Sequence, residues 1–298
     1  MTTRKAMLAV LLALLPAIVA SGIVFGYRAL ALIVVCGAVC VITEAAFQYF
    51  TGRKVCIQDG SALLSGVLLA LILPANLPFY QAVVGSAFAM LFGKHLFGGL
   101  GRNIWNPALL GRAFLMAAYP VSMTNYPRLP DAVTQATPLA AMKFNQEPTS
   151  LLSLFFGNVS GSLGETSAVA LIIGGVLLIW LRYADWRIPT GMLGAVIAIT
   201  GANWVIRQGQ VASPLFHLLS GGLLIGAFFM ATDPVTTPVT KLGRWIFGLG
   251  VGFLVALIRL KGGYPEGVMF AILLMNSVRP LLDRLTVPKT FGQKRVAK

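Results

Sequence analysis

Apolar runs of roughly bilayer length, separated by short polar breaks, recur along almost the whole chain, and they predict helix after helix. Ten of them cover 7–26, 29–50, 61–74, 79–98 and 106–119, then 167–181, 190–206, 215–231, 245–260 and 266–280. A crossing takes about 20 apolar residues, so the expected fold is an all-α polytopic membrane protein of about ten transmembrane helices. The first run continues from Leu14-Leu15-Pro16 through Ser21-Gly22 to Phe25. That is longer than the apolar core of a signal peptide, and it reads as a helix. One stretch breaks the rhythm. Pro120–Thr166 is a polar island, and connections of that length are usually functional or disordered. The pattern therefore divides the chain into a first five-helix unit (1–119), the loop (120–166), a second five-helix unit (167–284) and a basic tail (285–298).

The two units carry a repeat. Leu63-Leu64-Ser65-Gly66 in the third run matches Leu218-Leu219-Ser220-Gly221 in the eighth, and each run ends at a proline-containing break, Pro74–Pro78 and Pro234–Pro238. Five crossings separate the copies. Because five is odd, they would run in opposite directions, as two inverted five-helix repeats, an arrangement that buries sites near the midplane where helices are interrupted. Glycines and prolines cluster again before the fifth run (Gly98 to Pro107) and before the tenth (Lys261 to Gly267). Neither follows a strand, so they read as re-entrant or half-helix turns and not as dinucleotide-binding loops.

Composition agrees: 57% hydrophobic, 11% charged and a mean hydropathy of +0.82 exclude a soluble globular domain. The net charge of +14 would suggest a nucleic-acid partner, but its distribution is topological. With the N-terminus inside, the inner segments hold Arg4, Lys5, Arg53, Lys54, Lys94, Arg102, Arg182, Arg187, Lys241 and Arg244, besides the tail. The outer segments hold Arg28, Arg128, Lys143, Arg207, Arg259 and Lys261. This bias predicts cytoplasmic termini and an extracytoplasmic 120–166 loop. No nucleic acid is expected as a partner; the bilayer is. Cys36, Cys40 and Cys56 are fewer than the four thiolates a cluster normally takes, and they read as small apolar residues. His95 and His217 are isolated in sequence and read as packing or hydrogen-bonding groups, not as metal ligands.

Ionisable residues inside or beside apolar runs need a partner, a cavity or a function, because even a lenient scale sets their cost near ~3 kcal/mol. Glu44 lies deepest by position, and it reads either as an ion- or proton-handling carboxylate or as a hydrogen-bonded structural group. Asp233 ends the eighth run before a proline, and Glu266 opens the tenth. Arg112, inside the fifth, would pair with a carboxylate or with a cofactor phosphate.

The loop contains Thr134-Gln135-Ala136-Thr137-Pro138-Leu139. On its own, Thr137-Pro138 is a helix start, with threonine as N-cap and proline in the first helical position. A helix N-terminus also suits a phosphate. Together with Asp59–Gly66, Gly98–Gly101, Asn106-Pro107-Ala108, His217–Gly221, Thr232–Val235 and Gly262–Pro265, this string resembles the RnfD/NqrB family across almost the whole chain. The few residues before the first run fit the RnfD side of that family.

The resemblance implies a membrane subunit of an Rnf-type complex that passes electrons between ferredoxin and NAD and couples them to Na+ or H+ movement. It implies FMN esterified to Thr137 by an external flavin transferase, with Thr134, Gln135, Ala136, Pro138 and Arg112 as surroundings, and it allows a second, non-covalent riboflavin. It places Glu44 and Asp233 where acidic residues tied to ion coupling occur. Position 134 is threonine where the family commonly has serine or another small residue, which makes Thr134 an alternative attachment point. The competing readings are an inverted-repeat channel or secondary carrier for a small solute, and a structural anchor for other subunits.

Overall fold

Helix 1, α1 (Thr3–Phe25), turns directly into α2 (Tyr27–Phe50) at Gly26, whose φ of 70° only glycine adopts without strain. After a short loop, α3 (Ser61–Leu71) and α4 (Phe79–Met90) follow, and α4 continues as one turn of π-helix, Leu91–His95. α5 (Pro107–Ala118) begins at Asn106, whose side chain accepts from the amides of Ala108 and Leu109. The structure is a computed structural model and describes residues 2–127, 134–165, 167–208 and 211–288.

The polar island is ordered where it is described. It holds α6 (Pro120–Thr124), a two-residue antiparallel ladder of β1 (Tyr126–Pro127) with β2 (Thr134–Gln135), α7 (Pro138–Ala140) with a π-turn over Ala141–Asn145, and α8 (Leu151–Phe156). Arg128 to Val133 and the side chains of Thr134 and Gln135 lie outside the described residues, as does the tail from Lys289 onward. The second half comprises α9 (Ala168–Trp180), α10 (Arg187–Ile206), α11 (Pro214–Leu219), α12 (Leu223–Ile225) with a π-turn over Gly226–Met230, α13 (Lys241–Lys261) and α14 (Val268–Thr286).

The fold is all-α, and each of the ten expected apolar runs contains helix. Ten helices of crossing length are not what the described residues hold. Four are long and apolar enough to cross a membrane alone: α1, α2, α10 and α13. α3, α5 and α9 are shorter apolar helices. The reason is backbone breakage inside the apolar runs. α3 stops at Leu71, and the loop segment 162–164 takes over its free carbonyls: Gly164 N donates to Leu71 O (2.6 Å) and Leu163 N to Leu73 O (3.1 Å). Freed backbone groups at membrane depth need such partners.

The repeated tetrapeptide also differs between its copies. Gly66 is helical, and a Cβ there would stand 2.5 Å from the Cys36 carbonyl, so glycine lets α3 press onto α2. Gly221 has φ 68° and sits in the break between α11 and α12. Identical residues thus make a helix–helix contact in one half and a helix break in the other. A single apolar core joins both halves, running through Leu14, Leu69, Leu109, Leu171, Phe247 and Ile272. Outward-facing apolar side chains such as Ile23, Trp180 and Ile206 suit a lipid environment.

Candidate functional site

Two polar clusters sit at opposite ends of α5. Its N-terminal Asn106 and Pro107 line one cavity and its Arg112 and Met116 line the other. Pro107 and Met116 are about 14 Å apart along the helix axis at 1.5 Å per residue.

The Thr137 end is built from the break in the eighth apolar run. Thr137 caps α7 as its sequence predicts: its backbone is extended, its hydroxyl accepts from Ala140 N (3.3 Å), and Pro138 takes the first helical position. Leu139 packs with Leu154 and Phe216, which anchors the turn on the second half. Beside Thr137 opens a cleft of about 230 Å³, lined also by Arg112, Tyr126, Ala136, Tyr264, Glu266, Met269 and Phe270. Behind it, Arg112 uses both terminal nitrogens on carboxylates: Nη1 on Glu165 (3.3 Å) and Nη2 on Glu266 (3.0 Å). Arg112 thus has two carboxylate partners. Its Nε is buried with no partner.

One of these carboxylates, Glu266, also holds the broken helix. Glu266 Oε1 accepts from Gly222 N, and a Cβ on Gly222 would fall 2.6 Å from Glu266 Oε1 and 2.8 Å from Glu165 Oε1. Arg259, on α13, donates to the free carbonyls of His217 and Ser220. Lys143 donates to the carbonyls of Ile258, Gly262 and Tyr264, fixing the turn before α14.

Burial, with the Glu266 charge adding to it, pushes the Glu165 carboxyl up to about 7 against the pull of Arg112. Burial pushes Glu266 up as well, but Arg112, the Gly222 amide and Arg259 outweigh it and hold that carboxyl below its ordinary value. Two carboxylates around one guanidinium so divide into a proton-holding and an ionised member. Glu165, raised above its unfolded value, favours the fold when protonated. That contribution is complete below about pH 4.3 and is lost as pH rises through about 7. Glu165→Gln is therefore expected to lose less thermal stability in detergent between about pH 5 and pH 8 than the parent chain. Parallel pH profiles of the two melting temperatures would contradict this assignment.

At the other end of α5, Glu44 is buried in α2 and its Oε1 binds Lys94 Nζ (2.6 Å) and Gln48 Nε2 (3.2 Å). Lys94 Nζ also donates to Ser61 Oγ (2.6 Å), and Ser61 in turn donates to Asp59 (2.8 Å). His95 stacks on Phe47 and stands 3.9 Å from Glu44. Glu44 Oε2 is buried and without a partner. Lys94 and Ser61 line a cavity of about 80 Å³ together with Asn103, Asn106, Thr232 and Asp233. Asp233 accepts from Val235 N and Thr236 Oγ1 (3.2 Å each), and burial raises its carboxyl from the usual value. Asp233 thus lines this cavity itself, while Glu44 is linked to it by the bond to Lys94.

Lys94, Glu165, Arg259 and Tyr126 do not stand out in the sequence as site residues. Lys94 and Arg259 carry a signal, since each is a cation inside an apolar run. Glu165, at the edge of the polar island, carries none. The π-turns add a structural marker, because such turns occur often at functional sites. The three among the described residues all abut these clusters: one carries Lys94 and His95, one follows Thr137, and one leads into Asp233. Cys36 and Cys40 are buried in α2, with Cys40 Sγ 3.8 Å from the Ser86 carbonyl, and Cys56 is exposed.

Residues 1–292 match the family described as NQR2, RnfD, RnfE. The chain belongs to this family. It is 45% identical to the D subunit of the proton-translocating ferredoxin:NAD(+) oxidoreductase complex of Clostridium ljungdahlii, over 99% of this chain and 93% of that one. It is also 45% identical to the D subunit of the Na(+)-translocating ferredoxin:NAD(+) oxidoreductase complex of Acetobacterium woodii, over 100% and 93%. The D subunit of an ion-translocating oxidoreductase complex of Stutzerimonas stutzeri is 41% identical over 97% and 92%. The first two family members differ in the ion they are named for at equal identity to this chain, so likeness alone does not choose between Na+ and H+.

Proposed function

We propose that this chain is the flavin-bearing membrane subunit of an Rnf-type, ion-translocating ferredoxin:NAD oxidoreductase complex, with FMN joined through a phosphoester to Thr137. The observation that carries this reading is the placement of the Thr137 hydroxyl. It caps a helix at the edge of a cleft with apolar and aromatic walls and a guanidinium behind it. The residues fit such a group: Met116, Met269, Tyr264 and Phe270 offer a surface for a flat ring, and Arg112 adds a positive field. FMN supplies the electron-transfer chemistry when bound.

The chain's own work is different. Ala136, exposed beside Thr137, leaves the hydroxyl approachable by a flavin transferase, and Pro138 presets the turn. Arg112, clamped by Glu165 and Glu266, holds the floor of the cleft rigid. Gln135 and an alternative attachment at Thr134 belong to the same strand and flank this turn.

The chain in this reading lies in the bacterial inner membrane with cytoplasmic termini, ten passes and an outer Thr137 loop, beside the other Rnf subunits. Packing between helices supports an inverted five-plus-five arrangement: α2 packs on α4 as α10 packs on α13, α4 on α5 as α13 on α14, and α1 on α9. Ion coupling is assigned to Glu44 and Asp233, at the cavity on the opposite side from Thr137. Glu44→Gln leaves Lys94 without its counter-ion, and ion uptake driven by electron transfer in vesicles is expected to fall by about tenfold or more while flavin content stays. Unchanged ion uptake per electron would remove Glu44 from the ion path.

The purified chain, matured with a flavin transferase and run on a denaturing gel, tests the reading as a whole. Flavin fluorescence travelling with the polypeptide supports it. A colourless band returns the solute-carrier reading.

A further inference from the structure

The six basic residues on the outer side of the proposed topology run against the charge bias, and four of them line one cavity: Lys143, Arg207, Arg259 and Lys261. We propose that this cavity, of about 470 Å³, seats the phosphate headgroup of an anionic phospholipid. The inference is independent of Thr137 and its flavin.

The cations do not play equal parts. Lys143 is used up on three carbonyls, and both terminal nitrogens of Arg259 are used on the broken helix. Arg259 Nε and His217 Nδ1, in contrast, are buried without a partner, and both residues line the cavity. Arg207 and Lys261 stand exposed at its rim, and no Asp or Glu is among its described lining residues. A helix-end preference for cations explains part of this, since α10 and α13 both finish here. It does not explain unpartnered donors below the rim. An anion seated between Arg207 and Lys261 would lie in the combined positive field of these two residues and of Arg259 behind them.

The walls identify the anion's carrier. Below the rim cations, Phe253 and Leu257 line the same cavity and are 54% and 45% exposed on the outer face of α13. From Lys261 down to Phe253 the helix drops about 12 Å. A headgroup phosphate at the level of Arg207 and Lys261 therefore has its acyl chains alongside these side chains, an arrangement a free phosphate ion would not use. Clustered basic residues at a membrane boundary are the usual attractors of anionic lipid.

Native mass spectrometry of the delipidated full chain, titrated separately with phosphatidylglycerol, phosphatidylcholine and inorganic phosphate, tests this. Wild type is expected to retain phosphatidylglycerol at about tenfold lower concentration than phosphatidylcholine. Arg207→Gln with Lys261→Gln, both at exposed positions, should erase that preference and leave the melting temperature of the lipid-free chain unchanged. Equal retention of the two lipids, or a preference that survives the double substitution, would overturn the proposal. Displacement of phosphatidylglycerol by inorganic phosphate would overturn it too, making this a free-anion site.

Discussion

Thr137→Val is expected to abolish the covalent flavin proposed for the matured chain, and with it in-gel fluorescence, while the protein still folds. Valine matches threonine in shape and removes only the hydroxyl, the atom that would carry the ester. The hydroxyl's structural duty is small: it accepts one bond, from Ala140 N at 3.3 Å. Loss of an N-cap costs about 1 kcal/mol, far from enough to unfold a core that spans both halves. Loss of flavin with a near-normal melting temperature therefore separates chemistry from folding. Thr134→Val should keep the flavin. Fluorescence that survives Thr137→Val and vanishes in Thr134→Val would move the attachment point three residues upstream.

Arg112→Leu is expected to cost more stability than any other single substitution in either polar cluster. Arg112 is the shared partner of Glu165 and Glu266, all three being largely buried. Removing one member of a buried pair leaves uncompensated charge, a cost of about 3–5 kcal/mol. The effect reaches further than the pair, because Glu266 also holds the Gly222 amide at the broken helix. The readout is the apparent melting temperature in detergent at one fixed scan rate, since unfolding of such a protein is treated as a rate. Adding Glu266→Gln to Arg112→Leu should recover part of the loss, because Glu266 is the ionised member of the pair and the charge left stranded. An Arg112→Leu chain that melts with the parent would show that the cluster does not support the fold.

Much of the helical layout is legible in the sequence because apolar runs and proline breaks are local signals. The helix start at Thr137-Pro138 is legible for the same reason: capping is decided within a single turn. What sequence does not convey is where the backbone breaks. The two Leu-Leu-Ser-Gly copies look equivalent, yet Gly66 stays helical against α2 while Gly221 sits in a helix break beside Arg259 and Glu266. That difference is set by tertiary partners, which no local pattern contains. The site divides the same way. Glu44 stands out as a carboxylate in an apolar run, but its partner Lys94 lies fifty residues on, in a run where sequence marks it only as an inward charge. Arg112 is visible as a buried cation needing a partner; that it has two, from the loop edge and from the start of α14, follows from how the halves close around the broken eighth run.

The central claim is a covalent bond, and peptide mass spectrometry measures it directly. Digestion of chain matured with a competent flavin transferase should yield the peptide around residue 137 carrying one FMN, less the water lost on esterification, with fragment ions locating it on Thr137. That peptide recovered unmodified, from material in which the enzyme is shown to be active on another acceptor, would contradict the account.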